Sequence, residues 1–161
     1  MFVEINNSNF KEVAAIYKQG IETGLATFET SIPTWILWNE SHLNFGRIAL
    51  KQNNEILGWA SLAPVSKREV YNGVAEVSVY VCKKHRGNGV GKKLLNELIK
   101  ISEKNNIWTL QSGIFRDNQA SIKMHSDLGF RIIGFRERIA QLNGVWLDNI
   151  ILERRSKLVG T

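Results

Sequence analysis

The chain has 161 residues, of which 43% are hydrophobic and 22% charged, and its formal net charge is +6 at pH 7. That length and composition are typical of an ordinary globular protein, which excludes a chain too small or too polar to bury a core. We expect one domain over residues 1–161, because no repeat, linker or low-complexity segment interrupts the sequence.

The sequence also favours a cytoplasmic protein that binds neither membranes nor metals. Residues 1–6 lack the basic start and apolar run of an export signal, and no apolar stretch approaches the roughly 20 residues that cross a bilayer. The single Cys82 cannot form an internal disulfide, which agrees with a reducing compartment. The three histidines lie far apart in sequence and no cysteine pair accompanies them, so a metal site is not expected.

The excess of basic residues, 21 against 15 acidic ones, concentrates in residues 83–93 and 154–157. Such a balance can serve nucleic-acid binding, but the chain shows neither a basic recognition helix nor an aromatic RNA-binding motif. An anionic small molecule accounts for the first cluster and a solvated terminus for the second. We therefore expect no nucleic-acid partner.

Apolar periodicity and turn residues predict a mixed order of strands and helices. Asn7, Ser8 or Asn9 can cap the first helix, Gly24 ends it, and Thr34 caps the second helix. Asparagine-rich and Asn-Gly turns predict two hairpins. In chain order the predicted elements are a strand over 2–5, a helix over 10–23, a helix after 34, strands over 47–51, 56–63 and 74–82, a helix after the glycine-rich turn, a strand over 108–114, a helix over 118–128, and strands over 130–139 and 145–152.

The glycine-rich turn, Arg86-Gly87-Asn88-Gly89-Val90-Gly91, separates a strand from an amphipathic helix. Its glycines can take positive φ and admit a ligand to the main chain, where N–H groups and the positive end of the helix dipole favour an anion such as pyrophosphate. Lys92 replaces the third glycine of a dinucleotide fingerprint, and Arg86 and Lys93 break a Walker loop. An ordinary strand-to-helix turn is the alternative.

The spacing Arg-x-x-Gly-x-Gly resembles the acetyl-CoA pyrophosphate loop of the GCN5-related N-acetyltransferases (GNAT). Residues 118–130, an Asn-x-x-Ser helix that ends in Gly-Phe, are similar to the family's helix along the pantetheine arm. The resemblance implies an α/β (α+β) fold with a mixed central sheet of about seven strands and about four flanking helices. It also implies acetyl-CoA contacts from Val79, Tyr80, Val81, Arg86, Gly87, Asn88, Gly89, Val90, Gly91, Lys92, Asn118 and Ser121, and a bulged strand whose N–H groups near Val79 and Val81 polarise the thioester.

Further segments resemble the phosphinothricin, methionine sulfoximine and related L-amino-acid N-acetyltransferases, which commonly form homodimers. These segments are Ile21-Glu22-Thr23 with Phe28-Glu29-Thr30, Lys67-Arg68 with Tyr71 and Ala75-Glu76, Met124-His125, and Gly144-Val145-Trp146-Leu147-Asp148. Leu147 departs from the pattern, since some members carry histidine there. The resemblance implies transfer of the acetyl group of acetyl-CoA to the α-amine of a small amino acid or analogue such as phosphinothricin or methionine sulfoximine, a substrate that carries a carboxylate. The alternatives are another amine (a polyamine, an aminoglycoside or a protein terminus) or a non-catalytic acyl-CoA sensor.

Two residues are candidates for proton transfer. Glu76 stands in an otherwise apolar strand, where burial would raise its pKa towards that of a useful general base. His125 can donate to the departing thiolate. The alternatives are an exposed carboxylate on the polar face of the strand and a half-buried helix histidine.

The candidate substrate-binding residues are Phe28, Glu29, Arg68, Tyr71, Glu76 and Trp146. Arg68 can bind an α-carboxylate through two parallel hydrogen bonds, and Phe28, Glu29 and Tyr71 can shape the pocket. Arg68 is equally well interpreted as a solvated loop charge, and Trp146 as a residue of a subunit contact.

Overall fold

The computed structural model describes residues 1–161 and contains seven strands and four α-helices. The strands are β1 (Phe2–Glu4), β2 (Arg47–Gln52), β3 (Glu55–Pro64), β4 (Val74–Val81), β5 (Thr109–Phe115), β6 (Arg131–Leu142) and β7 (Val145–Arg155). The helices are α1 (Phe10–Ile21), α2 (Trp35–Ser41), α3 (Val90–Lys104) and α4 (Gln119–Asp127). The expected fold class, a mixed sheet with four helices, is confirmed.

All seven strands form one sheet in the order β1-β2-β3-β4-β5-β7-β6. Every neighbouring pair is antiparallel except β4 and β5. Those two strands pair only from Val74 to Glu76 on β4 and from Thr109 to Gln111 on β5. Beyond Glu76 they separate, and a cleft opens in the middle of the sheet.

Two apolar clusters cover the two faces of the sheet. Trp59 and Ala60 are neighbours on β3, yet they belong to different clusters, because successive side chains of a strand point to opposite faces. The face of Ala60 packs against α3 through Leu94 and Leu98, which are fully buried. The face of Trp59 packs against α1 and α2.

Local turn chemistry follows the sequence closely. Asn53 and Asn54 both have positive φ in the β2–β3 turn, and so do Asn143 and Gly144 in the β6–β7 turn, as the two-residue hairpins require. Gly129 ends α4 at φ +88°. These predictions are confirmed.

Other boundaries differ from expectation. Helix α1 ends at Ile21 rather than residue 23, and Asn9 precedes it without a capping side-chain bond. The Asn9 side chain instead donates to the Glu4 carbonyl at 2.8 Å and accepts from the Asn6 amide at 2.9 Å, so it joins the helix to β1. Strands β6 and β7 end three residues later than predicted, at Leu142 and Arg155. No helix is long and apolar enough to cross a membrane.

Candidate active site

Two adjoining cavities fill the cleft between β4 and β5. One, of about 420 Å³, contains Glu76 and His125 and is called here the Glu76 cavity. The other, of about 580 Å³, is lined by the glycine-rich turn and is called the loop cavity. They share Leu25, Ala26, Val79, Tyr80, Asn118 and Ser121. The cavities therefore meet at the unpaired half of β4.

The glycine-rich turn forms one end of the loop cavity. Gly87 and Gly89 have φ of +79° and +75°, and nothing lies within 4 Å of the position a side chain would take at either residue. Helix α3 begins at Val90, so its first N–H groups have no partner within the helix. This arrangement has the open main chain and the helix dipole that suit a pyrophosphate.

Three details of this turn differ from expectation. Gly91 lies within α3, where glycine avoids a steric clash, because a Cβ at this position would lie 2.8 Å from the sulfur of Met124 on α4. Asn88 does not line the loop cavity. Arg86 lines it but is partly engaged, since its Nε donates to the Val81 carbonyl at 3.2 Å and its Nη2 to the Gln19 carbonyl at 3.4 Å. Arg86 therefore also braces the turn against β4 and α1.

The unpaired edge of β4 faces the cleft. The Cys82 amide donates to the Leu57 carbonyl, so the alternation of an antiparallel ladder directs the amides of Val79 and Val81 away from β3. Arg86 reaches the Val81 carbonyl from that side. The β3–β4 pairing runs from Ala75 to Val81 without a register shift, so the expected bulge is wrong. A regular strand already exposes these amides because its other neighbour has diverged.

Tyr80 forms a wall between the two cavities. Its ring stacks on Trp59 with centroids 4.8 Å apart and meets Tyr17 edge-on at 4.9 Å. Burial raises the pKa of Tyr80 well above its ordinary value of 10.0, and the nearby Tyr17 raises it further. The phenol thus stays protonated at neutral pH and does not act as a base.

Helix α4 supplies the opposite wall. The side-chain oxygen of Asn118 caps the helix by accepting from the Ser121 amide at 3.3 Å, and its nitrogen donates to the Leu25 carbonyl at 3.2 Å. Asn118 therefore fixes the loop after α1 against α4 at the point where the cavities join.

His125 is 3% exposed and lines the Glu76 cavity. Its Nδ1 lies 2.8 Å from the Ser121 carbonyl, an acceptor, so the neutral ring carries its proton on Nδ1 and a lone pair on Nε2. Burial lowers the pKa of His125, and the bond to Ser121 offsets only part of that effect. Donation to a thiolate from Nε2 requires the doubly protonated ring, which burial disfavours.

Glu76 lies at the point of divergence, where its side chain faces the open cavity. Removal of surrounding water raises the pKa of Glu76 above its ordinary 4.5, and the positive charge of Arg136 opposes that effect. A carboxylate with a raised pKa is a better proton acceptor than an ordinary one. The Glu76 side chain nevertheless remains exposed to the cavity, as the alternative interpretation of the sequence held, and the cavity walls remove only part of its water.

The candidate substrate residues divide into two groups. Phe28 and Glu29 line the Glu76 cavity, where the Phe28 ring contacts Phe115 with centroids 4.5 Å apart. Arg68 and Tyr71 do not line it; the Arg68 guanidinium lies over the Tyr71 ring at 5.4 Å. Trp146 is 55% exposed and lines a third cavity of about 360 Å³ beside Arg116 and Asp148.

Sequence reasoning missed Arg136 on β6 and Asn149 on β7, which line the Glu76 cavity. They are directly paired across the strands, and Asn149 pairs in turn with Phe115. The Asn149 side-chain oxygen is buried without a hydrogen-bond partner. No local motif could have located these residues, because their position depends on the strand order β4-β5-β7-β6.

Comparison with known proteins supplies the family. A model of the acetyltransferase (GNAT) family matches residues 12–130. The chain belongs to this family. The match includes Glu76, the glycine-rich turn and His125, and it ends before Arg136 and Asn149.

Relatives of known name agree with this assignment. YwnH of Bacillus subtilis (strain 168), whose name assigns it provisionally to the phosphinothricin acetyltransferases, is 32% identical over 91% of this chain and 93% of its own. L-amino acid N-acyltransferase MnaT of Escherichia coli (strain K12) is 32% identical over 70% of this chain and 67% of its own. An L-methionine sulfoximine/L-methionine sulfone acetyltransferase of Pseudomonas paraeruginosa (strain DSM 24068 / PA7) is 37% identical over 63% of this chain and 59% of its own.

Solved structures agree with the fold. A ribosomal-protein-alanine N-acetyltransferase from Brucella melitensis superposes with a TM-score of 0.89 at 27% identity, over 97% of this chain and 99% of its own. A GNAT superfamily phosphinothricin acetyltransferase from Sinorhizobium meliloti, solved in complex with acetyl-CoA, superposes with a TM-score of 0.89 at 23% identity, over 99% of this chain and 90% of its own. Family, relatives and fold together identify an acetyl-CoA-dependent N-acetyltransferase.

Proposed function

We propose that this acetyltransferase transfers the acetyl group of acetyl-CoA to the α-amine of a small amino acid or analogue, such as phosphinothricin or methionine sulfoximine. The observation that carries the proposal is the junction of the two cavities at Val79 and Tyr80, with Glu76 on one side and the glycine-rich turn on the other. The names of three relatives favour acceptors of this class.

In this proposal the donor occupies the loop cavity. The turn at Gly87 and Gly89, followed by the first N–H groups of α3, binds the pyrophosphate, and Lys92 adds positive charge at the rim. Asn118 and Ser121 line the path to the Glu76 cavity. The acetyl end then lies beside the cleft-facing amides of Val79 and Val81, which donate to its carbonyl oxygen.

The acceptor amine enters the Glu76 cavity. Glu76 accepts a proton from the ammonium group, directly or through one water, and leaves a neutral amine to attack the acetyl carbonyl. The amine nitrogen forms the amide C–N bond and gives up its second proton, the thioester C–S bond breaks, and the departing coenzyme A thiolate takes up that proton. Alignment of amine and thioester contributes about 7–11 kcal/mol in well-oriented reactions, so positioning outweighs any single proton transfer.

The test is thiol release from acetyl-CoA, with mass detection of the product, for L-methionine sulfoximine, phosphinothricin, ordinary L-amino acids, a polyamine and an aminoglycoside. We expect turnover of amines that carry a carboxylate. Turnover of the polyamine or the aminoglycoside alone would contradict the proposed substrate class and leave the family assignment intact. Binding of acetyl-CoA without turnover of any amine would favour an acyl-CoA sensor.

A second candidate acceptor is a protein N-terminus. The similar Brucella melitensis structure is described as a ribosomal-protein-alanine N-acetyltransferase and shares 27% identity with this chain. A short peptide with an N-terminal alanine, added to the same assay, separates the two candidates. Acetylation of the peptide but of no free amino acid would replace the first proposal with the second.

We also propose that the enzyme is a homodimer that buries the β6–β7 edge. Six large apolar side chains there are 42–59% exposed: Ile132, Ile133, Phe135, Ile139, Val145 and Trp146. Exposed apolar groups on a sheet edge are typical of a surface that pairs with another chain. Sedimentation should show a dimer for the wild type and a monomer for Ile139→Lys; a wild-type monomer at assay concentration would refute the assignment.

A further inference from the structure

We infer that Arg136 binds the carboxylate of the acceptor, and that the Glu76 cavity selects zwitterionic amines through the pair Glu76 and Arg136. The inference rests on the proposed transfer to an amino acid and assigns the carboxylate to a different arginine from the one that the sequence favours. Arg136 lines the cavity that contains the candidate base, whereas Arg68 does not.

Arg136 has no partner of its own in the chain. Along the same strand, Arg131 forms an ion pair with Glu153 at 3.0 Å and Arg138 pairs with Glu137 at 3.6 Å. Arg136 affects the pKa of Glu76 without forming an ion pair with it, so a gap separates the two charges. A guanidinium that faces a cavity with its donors unused is a suitable partner for a carboxylate, which it binds through two parallel hydrogen bonds.

The order of the charges matches an α-amino acid. Such a molecule carries an ammonium and a carboxylate on adjacent bonds of one carbon atom. With the ammonium at Glu76 and the carboxylate at Arg136, both charges of the ligand meet an opposite charge. A simple amine satisfies only Glu76 and forgoes the two parallel hydrogen bonds that Arg136 offers to a carboxylate. The cavity therefore discriminates against amines that lack the carboxylate.

Asn149 gives a second, independent indication that a polar ligand belongs here. Its side-chain oxygen is buried without a hydrogen-bond partner, and the residue lies in register with both Arg136 and Phe115. Gly113 leaves room for it, since a Cβ at Gly113 would lie 2.9 Å from the Asn149 nitrogen. A buried acceptor left without a donor is costly, and a ligand N–H group supplies one.

A β-bulge next to Arg136 sets the direction of this strand. Pairing between β6 and β7 shifts between Arg136 and Ala140, and Arg138 has φ +45°. The Asp148 carboxylate holds this geometry by accepting from the Arg138 amide at 2.9 Å and from Arg116 at 3.4 Å. Bulges beside active sites commonly redirect a side chain. Asp148 is thus a positioning residue for Arg136, which gives the terminal Trp-Leu-Asp motif a physical role.

The test compares L-methionine sulfone with 3-(methylsulfonyl)propylamine, the same molecule without its carboxylate, at saturating acetyl-CoA. Arg136→Gln should lower kcat/KM for the sulfone about ten- to hundredfold, mainly through KM, and change that for the amine much less. Arg136→Lys should recover part of the loss. The matched control Arg131→Gln removes one arginine from the same strand outside the cavity and should preserve the ratio of the two substrates.

The outcomes separate this inference from the function on which it rests. If wild type acetylates the sulfone and Arg136→Gln keeps the full preference for it, the inference is overturned and the proposed function stands. The same holds if Arg68→Gln, rather than Arg136→Gln, removes the preference. If wild type binds acetyl-CoA but acetylates only the propylamine, or neither compound, the proposed function fails and the inference with it. An unchanged acetyl-CoA Kd shows that each variant is folded.

Discussion

Replacement of Glu76 by glutamine should lower kcat at least about a hundredfold while leaving acetyl-CoA binding intact. Glutamine keeps the shape of the side chain but cannot accept the proton of the ammonium group. General-base catalysis contributes about 10²–10⁴-fold, and a hundredfold corresponds to about 2.7 kcal/mol of barrier. The loss should stop short of complete inactivity, because the turn and the cleft-facing amides still align the reactants.

The pH profile shows whether Glu76 acts through its charge. Partial desolvation by the cavity walls raises the pKa of Glu76 above 4.5, so kcat/KM should fall as the pH drops through that raised value, where the carboxylate becomes protonated. Arg136 opposes the rise, so Arg136→Gln should raise the pKa of Glu76 and move this acidic limb to higher pH. Glu76→Gln should abolish the limb and retain only the titration of the substrate amine at higher pH.

The assay is continuous thiol release from acetyl-CoA between pH 4.5 and 9.5, with L-methionine sulfone as the acceptor. The control is Glu97→Gln, a partly buried carboxylate on α3 that pairs with Lys100 at 3.2 Å and lines none of the three cavities. A Glu76→Gln enzyme with more than half of wild-type kcat and an unchanged acidic limb would refute the assignment of Glu76 as the base.

Three further predictions follow from single contacts. Gly89→Ala places a side chain at φ +75°, so it should lower the free energy of unfolding by about 1–2 kcal/mol and raise KM for acetyl-CoA. The control Gly134→Ala adds a side chain in open space and should change neither quantity. Thermal unfolding and steady-state kinetics measure the two effects. Nitrogen NMR at pH 7 should show His125 protonated on Nδ1 alone. Because burial lowers the pKa of His125 in the folded protein, the neutral ring contributes fully to stability above about pH 6.5, and this contribution is lost as the pH falls through the pKa of the folded state. Asp148→Asn should raise KM for the sulfone more than KM for acetyl-CoA, because Arg136 loses its support; an equal rise in both would indicate a general structural role.

Local chemistry could be read from the sequence where it depends on neighbours along the chain. Gly87 and Gly89 take the left-handed conformation that a ligand-approaching turn requires, and Asn118 caps α4 as its Asn-x-x-Ser pattern indicates. Asn9 is the exception, since its side chain found partners in β1 and the preceding turn instead of the helix it precedes. A capping residue with competing acceptors nearby has more than one way to satisfy its hydrogen bonds.

The acceptor side of the site could not be read in this way. Arg68 and Arg136 are indistinguishable by residue type, and both lie in polar surroundings along the chain. Only the strand order and the bulge place Arg136 across the cavity from Glu76, while Arg68 stacks on Tyr71 elsewhere. The sequence favoured Arg68, which does not line this cavity, because a motif records neighbours in sequence and the cavity is assembled from four strands.

The early divergence of β4 from β5 explains why one strand serves both cavities. Strand β4 has eight residues, yet only three pair with β5, so the remaining main-chain groups on that edge lack a strand partner. Unpaired backbone groups must find hydrogen bonds elsewhere, and the Val81 carbonyl finds one in Arg86. The edge near Val79 stays open to a ligand that carries amide and carbonyl groups. The walls of α1 and α4 enclose this edge, so it is available to a small molecule and shielded from the edge-to-edge pairing that an exposed strand invites.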